Sequence, residues 1–451
     1  MGSLAFALLT ACAADSGEPP GDVLLITIDT LRVDHLGIYG YERDTSPSID
    51  RWFADGAVFE RAYSTEAATS PSVVSMLSGR LPQEHGVRLF FQLLPEEVPL
   101  VPDLLPSVYQ TAAFVSNMVL TDEAIGFADR FDHYDDLVDQ RESGRRMFER
   151  SAEATTNAAL LWLAQERDPR RPLFLWVHYI DPHGPYRPPP DWHDAFDHEG
   201  EHALEMERIP PYGLLEGVDD ALEYVDRYDA EIRYADRQVG RLLDGYARNH
   251  DPEAALILLT ADHGETMMSR ERWFDHSFHV YEELVRVPLL VRGPGIESAR
   301  FTGLVSGIDV AATILGFAAA PARLDGRSLD LGTSQPPDDR VVLFEASRKG
   351  RQWRGAIQGE GKWVLAVTGE ERFVPLRRFY DLATDPGEAR PLDWRADAPA
   401  ARLLEELVRD DPDPAGLPSE YAKGMRLKAP KVAPHVSAEQ LEALRALGYA
   451  E

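Results

Sequence analysis

Residues 22–32 read Asp22-Val23-Leu24-Leu25-Ile26-Thr27-Ile28-Asp29-Thr30-Leu31-Arg32. The apolar run over 23–28 is too short for a helix and suits a buried strand, and Asp29 stands where that strand ends. Runs of the same texture recur at 173–177 and 255–260, each closely followed by polar residues and separated by helix-like stretches. Short apolar runs alternating with helices indicate an α/β domain built on a largely parallel sheet. Such sheets bind ligands beyond the carboxyl ends of their strands, which makes Asp29, Asp181 and Asp262 candidates for function.

Outward from these runs, residues 228, 232, 235, 239, 242 and 243 form an apolar stripe at helical spacing, and its expected role is packing. Residues 186–217 are rich in Pro, His and acidic side chains without periodicity, which suggests a surface insertion able to select substrates. The apolar stretch 303–322 is interrupted by Asp309 and ended by Pro321, so it fits a buried helix better than a membrane span. Beyond 335 the texture changes. Residues 341–344, 353–358, 362–367 and 379–382 read as strands of a small antiparallel sheet, with a closing helix over 437–447 between Ser437 and Gly448. The expected organisation is a signal and linker over 1–20, a catalytic domain over 21–335 and a small C-terminal α+β subdomain over 336–451.

The formal charge of −30 over 451 residues makes nucleic acid and anionic lipid poor partners for the surface as a whole. An acidic protein that handles an anionic ester must overcome its own field locally, with a cation and a few placed donors. The only cysteine, Cys12, rules out an intramolecular disulfide and a cysteine metal site. It follows an apolar run as Leu9-Thr10-Ala11-Cys12, similar to a bacterial lipoprotein signal. The expectation is export to the periplasm or cell envelope, with a lipid anchor at Cys12.

Four constellations carry chemistry. Asp29 at its strand end can hold a hard cation. Thr69-Ser70-Pro71-Ser72 reads as a helix start, with Thr69 or Ser70 as N-cap and Pro71 at the first helical position. A hydroxyl there lies where free N–H groups and the positive helix end can cradle an anion. Asp262-His263-Gly264-Glu265 offers oxygen and imidazole to one ion, with Gly264 permitting the turn that aims both. His183, in His178-Tyr179-Ile180-Asp181-Pro182-His183-Gly184-Pro185-Tyr186, is stiffened by flanking prolines, while His276 and His279 could bind the anion or protonate the leaving oxygen.

Taken together, these motifs resemble the sulfatase family. Asp29-Thr30-Leu31-Arg32 with Asp34-His35-Leu36-Gly37 is similar to its first metal motif, and Thr69-x-Pro71-Ser72 with Leu77-Ser78-Gly79-Arg80 to its nucleophile motif. Asp181-Pro182-His183-x-Pro185-Tyr186 is similar to its anion-binding histidine motif. Asp262-His263-Gly264-Glu265 with Tyr281-Glu282-Glu283 and Arg286-Val287-Pro288 resembles its second metal motif, and Tyr380-Asp381-Leu382 with Asp385-Pro386 fits its small domain. The resemblance implies an alkaline-phosphatase-like α/β fold, with a central, largely parallel or mixed sheet between helices and a small C-terminal antiparallel sheet.

The chain departs from that family where chemistry is done. Thr69 stands in place of the Cys or Ser converted to formylglycine, Val73 in place of an Arg, and Thr30 in place of a second carboxylate. No formylglycine is expected, because the Thr β-carbon carries a methyl group. The site is more similar to phosphoethanolamine and lipoteichoic-acid transferases, which use threonine. The resemblance implies Asp29, Thr69, Asp262 and His263 as ligands of one divalent ion (Mn, Zn or Ca), and Thr69, His183 and His276 as catalytic residues. It further implies His183, Asn117 and His279 as contacts of an anionic ester on a glycan, lipid or small molecule. The leading expectation is a hydrolase of sulfate, phosphate or phosphonate esters through a covalent Thr69 intermediate. The alternatives are a phosphoryl-group transferase and an inactive protein that binds anionic glycans.

Overall fold

The computed structural model describes residues 21–410, apart from 139, 142–147, 321–323, 325–329, 332–335, 349–350 and 369–370. The expected signal segment with Cys12 and the expected helix over 437–447 lie outside the described residues.

The large sheet and its principal helices run in the order β1 (Val23–Ile28), β2 (Ala57–Phe59), α1 (Thr69–Ser78), β3 (Gln110–Val115), β4 (His133–Asp135), α2 (Ala152–Gln165), β5 (Leu173–Tyr179), α3 (Ala221–Ala247), β6 (Leu256–Ala261), β7 (Leu289–Arg292), β8 (Arg300–Phe301) and α4 (Asp309–Phe317). Across the sheet the order is β8-β2-β7-β6-β1-β5-β3-β4. Strands β6, β1, β5, β3 and β4 are mutually parallel, whereas β7 runs antiparallel to both β6 and β2. The sheet is therefore mixed. Every residue of β1, β5 and β6 is buried, which is why these strands read as unbroken apolar runs rather than alternating ones.

Helix α2 packs on β3, β5 and α3, and α1 packs on α4. In α4 the charge inside an apolar stretch is accounted for by a bidentate pair: Arg340 reaches Asp309 through both guanidinium nitrogens at 2.7 Å. No described helix is long and apolar enough to cross a membrane. Helix α3 does more than pack. Its buried Asp229 takes His35 Nδ1 at 2.6 Å and the Tyr41 hydroxyl at 2.7 Å, and its Asp236 accepts the Ser48 and Ile49 amides at 3.0 and 2.8 Å. These acids pin the chain that follows the first strand.

A four-stranded antiparallel sheet comes next: β9 (Val341–Arg348), β10 (Arg351–Gln358), β11 (Gly361–Thr368) and β12 (Glu371–Asp381). It is covered by α5 (Pro399–Asp410), a helix the sequence patterning did not single out although Ala400, Ala401, Leu404 and Val408 keep helical spacing. Those four pack with Trp363, Leu365 and Phe379. The small sheet joins the main body beside α1, where the Glu345 amide donates to Thr65 O at 2.9 Å and the Ala67 amide to Glu345 O at 3.2 Å.

Helix α1 is buried along its whole length and is held from behind by His85, which is 1% exposed. His85 Nδ1 accepts the Val87 amide at 3.1 Å, so the ring proton sits on Nε2 and faces Ser75 Oγ at 3.0 Å. Burial, and then the charge of Arg88, push the imidazole pKa down to about 3. The unfolded chain takes up that proton near 6.5 and the folded chain only near 3. This contribution to stability is therefore complete above pH ~6.5 and is lost as the pH falls toward 3. In urea unfolding across that range, His85→Gln should flatten the dependence of stability on pH by about one proton, or ~1.4 kcal/mol per pH unit. An unchanged slope would show that His85 is not held neutral.

Candidate metal and nucleophile site

Strands β6, β1, β5 and β3 are neighbours, and the site is assembled from residues just beyond their carboxyl ends. β1 delivers Asp29, β6 delivers Asp262 and His263, β3 leads to Asn117, and His183 lies in the turn after β5. Asp29, Asp262 and His263 are fully buried. Thr30 carries φ 55°, a left-handed conformation that a β-branched residue adopts only under strain of about 1–3 kcal/mol. Tyr228 of α3 braces that turn: its hydroxyl donates to Thr30 O at 2.8 Å and accepts the Arg32 amide at 2.9 Å. On the other side Gly264 is required, since a Cβ there would meet Glu283 O at 2.1 Å.

Thr69 approaches from α1. Contrary to the sequence expectation, neither Thr69 nor Ser70 is the N-cap, and Pro71 is not at the first helical position. Ala68 caps in an extended conformation, Thr69 is the first helical residue, and the Ser72 amide donates to Ala68 O at 3.2 Å. Proline is tolerated at the third position because the first-turn amides have no partner within the helix. The shift matters for chemistry, since the Thr69 hydroxyl is relieved of capping. Its Oγ1 lies 3.4 Å from Asp29 Oδ2 and 3.3 Å from His263 Nε2. Ser72, one turn along, donates to Asp262 O at 2.6 Å and ties α1 to the loop after β6.

The two carboxylates are arranged alike. Asp29 Oδ2 accepts from Asn117 Nδ2 at 2.6 Å, and Asp262 Oδ1 accepts the His263 and Thr30 amides at 2.8 and 3.2 Å. Asp29 Oδ1 and Asp262 Oδ2 have no hydrogen-bond partner, although both are buried. His263 Nε2 stands 3.7 Å from the first and 3.5 Å from the second. Burial alone would raise Asp29, but the adjacent His178 and the charges of His183 and His263 outweigh it and hold the carboxyl well below the usual range. Asp262 is pushed up to about 6 by burial and by the facing Asp29. Two orphaned carboxylate oxygens beside an imidazole and a hydroxyl fit a divalent cation, and these residues would hold it.

His276 and His183 stand over this group. The His276 ring centroid is 4.6 Å from that of His263 and 5.0 Å from that of His183, and its Nδ1 faces Glu265 Oε1 at 3.3 Å. His183 stacks at 6.5 Å on Tyr212, so the insertion over 186–217 reaches the site. Thus Asp29, Thr69, Asn117, His183, Asp262, His263 and His276 come together. His279 requires a correction. Its ring stacks on Tyr281 at 3.5 Å and lies 4.0 Å from Trp353 of the small sheet, at 1% exposure, so it packs in the seam between the two sheets. Asp181 also serves the scaffold, its Oδ2 accepting the Ala152 amide at the start of α2 at 2.8 Å.

Two residues escaped the sequence patterning as site components. Glu265 orients His276. His178, fully buried on β5, places Nε2 3.6 Å from Asp29 Oδ2. The signal was present, because a histidine inside an all-apolar buried strand needs a polar partner.

If an ion relieves the repulsion between Asp29 and Asp262, removing one of the charges should do part of the same work. Asp262→Asn should leave the metal-free protein at least as thermostable as the parent while abolishing the rise in Tm that Mn²⁺ or Zn²⁺ gives the parent. A metal-induced shift of equal size in the variant would exclude Asp262 as a ligand.

Comparison with known proteins agrees with this architecture. A family model described as sulfatase matches residues 21–320. An N-acetylglucosamine-6-O-sulfatase of Bacteroides thetaiotaomicron is 25% identical, over 91% of this chain and 91% of that protein. A choline-sulfatase of Rhizobium meliloti is 28% identical over 56% of this chain, and the aligned stretch spans about half, 53%, of that protein. Among solved structures, a complex with D-glucosamine-2-N,6-O-disulfate superposes with a TM-score of 0.70 at 19% identity, covering 88% of this chain and 100% of the other. The phosphonate monoester hydrolase of Agrobacterium radiobacter superposes at 0.66 and 18% identity, covering 86% and 94%. With two thirds of its length matched by the family model and the same fold in these neighbours, the chain belongs to the sulfatase family.

Proposed function

We propose that the protein hydrolyses an anionic ester, a sulfate or a phosphate or phosphonate, with Thr69 as nucleophile and one divalent cation held by Asp29, Thr69, Asp262 and His263. The observation that carries this reading is the position of Thr69 Oγ1, at the mouth of α1 and within 3.4 Å of both Asp29 and His263. A bound cation would lower the pKa of the Thr69 hydroxyl and screen the charge of the incoming ester. The helix start adds unpaired amides and the positive dipole end for the ester's non-bridging oxygens.

The deprotonated Thr69 oxygen forms a bond to sulfur or phosphorus while the bond to the ester oxygen breaks. The departing alkoxide takes a proton from His276, whose Nδ1 is engaged by Glu265, so Nε2 is the donor. Water then attacks the same centre and gives a proton to His276 while the bond to Thr69 Oγ1 breaks, which releases the anion and restores the Thr69 oxygen and the protonated His276. His183, half-buried beside His276, contacts the transferred group. A formylglycine route is closed, because the β-carbon of Thr69 cannot become an aldehyde. The relatives named for sulfated substrates and the neighbour named for phosphonate monoesters define the substrates to try.

Nitrophenyl sulfate, phosphate, phosphonate and phosphodiester, each with Mn²⁺, Zn²⁺ or Ca²⁺, should reveal metal-stimulated turnover of at least one. Thr69→Ala should lower kcat by about three orders of magnitude or more without loss of the fold. A peptide carrying modified Thr69 should be trapped by mass spectrometry after acid quench of the parent. Product capture by an added alcohol in preference to water would instead identify a transferase. Turnover in Thr69→Ala equal to the parent's would remove threonine from the mechanism.

A further inference from the structure

The metal ligands named so far are all presented by turns or by a helix start, and a fully buried histidine lies beneath them on the sheet itself. His178 occupies β5 opposite Thr27 of β1. Its Nδ1 is 2.8 Å from Thr27 Oγ1, which also accepts from Trp176 Nε1 at 3.0 Å. Its Nε2 has no hydrogen-bond partner. That nitrogen, one carboxylate oxygen of Asp29 and one of Asp262 lie within 4.8 Å of one another, and all three residues are buried.

We propose that His178 is a further ligand of the cation, bound through Nε2 from the floor of the site. The inference rests on the proposed metal site and extends it. Two arrangements of the ring proton compete. With the proton on Nε2, His178 would donate to Asp29, but the separation from Oδ2 is 3.6 Å, beyond the span of about 2.7–3.2 Å for such bonds, and that oxygen already accepts from Asn117 at 2.6 Å. With the proton on Nδ1, the ring donates to Thr27 and its Nε2 lone pair faces the two carboxylates. His178 Nε2 is then, like Asp29 Oδ1 and Asp262 Oδ2, a buried electron-rich atom without a hydrogen-bond partner, and it lies close to one oxygen of each carboxylate. A cation satisfies all three at once, and a metal-bound histidine is commonly held by a hydrogen bond at its other ring nitrogen, as Thr27 holds this one. The donor set becomes two carboxylates, two imidazoles and the Thr69 hydroxyl. Such a set suits Mn²⁺ or Zn²⁺, whereas Ca²⁺ prefers oxygen alone.

The test is pulsed EPR of the full chain loaded with Mn²⁺, which counts directly bound imidazole nitrogens whether or not a substrate is known. The parent should show two, from His178 and His263. His178→Asn should show one, with Zn²⁺ or Mn²⁺ bound roughly 10–100-fold more weakly and Ca²⁺ changed less. If His178→Asn does not fold, His183→Gln and His276→Gln take its place: both must keep two nitrogens, which assigns the second to His178. One nitrogen in the parent, or two retained in His178→Asn, would overturn the proposal while leaving the metal site intact. Failure of the parent to bind any divalent ion would instead remove both this inference and the functional reading beneath it.

Discussion

Asp29 and Asp262 face each other in the interior, at the ends of two adjacent parallel strands. Burying two like charges side by side costs several kcal/mol unless something offsets it. The protein provides half of the compensation itself. One oxygen of each carboxylate is fixed by donors, Asn117 for Asp29 and the Thr30 and His263 amides for Asp262. The other oxygen of each is turned inward with nothing to accept. Anchoring one oxygen sets the direction of the other, and the pair leaves a place that a cation would fill. Asp262, pushed up to about 6, and Asp29, held low, divide the strain when no cation is bound.

Much of the surrounding structure supports that pair. The strained Thr30 is held by Tyr228, and the first-strand loop by the buried acids of α3. Ser72 fastens α1 to the carbonyl of Asp262, and the small sheet fastens the approach to that helix through Thr65, Ala67 and Glu345. The small sheet thus contributes to the site by position, and its seam with the main body is where His279 is spent. A histidine three residues from His276 looked equivalent in sequence. In the structure the two rings face different neighbours, His263 and His183 for one and Tyr281 and Trp353 for the other.

Much of this was legible in the order of residues. Unbroken apolar runs ending in Asp29 and Asp262 announced parallel strands with their polar residues just beyond, and the register of β1 with β5 and β6 bears this out. What sequence could not give was pairing across the sheet. His178 and Thr27 are 151 positions apart, and only the register shows them to be partners. The helix start at Thr69 was legible but its cap was not, because Ser and Thr are favoured caps and nothing local revealed that Ala68 would serve. Helix α5 also carries a readable stripe, but Pro386, Pro391 and Pro399 in and before its first turn read as loop and mask its start.

The charge of the chain sets a last constraint on how an anionic ester reaches this site. A formal charge of −30 repels such a ligand at long range, but at physiological salt the field of exposed acids fades over about 8 Å. Inside the site, two carboxylates would only cancel a divalent ion. Net attraction must therefore come from groups that are neither carboxylates nor the ion: the amides at the start of α1, and the histidines above it. His183 is the half-buried member of that set, and Tyr212, from the loop rich in acids and prolines, stacks on it. With a cation bound, the buried carboxylates and His263 would fix which atom reacts. The insertion meets His183 at the rim through Tyr212, where it would bear on which ester is admitted.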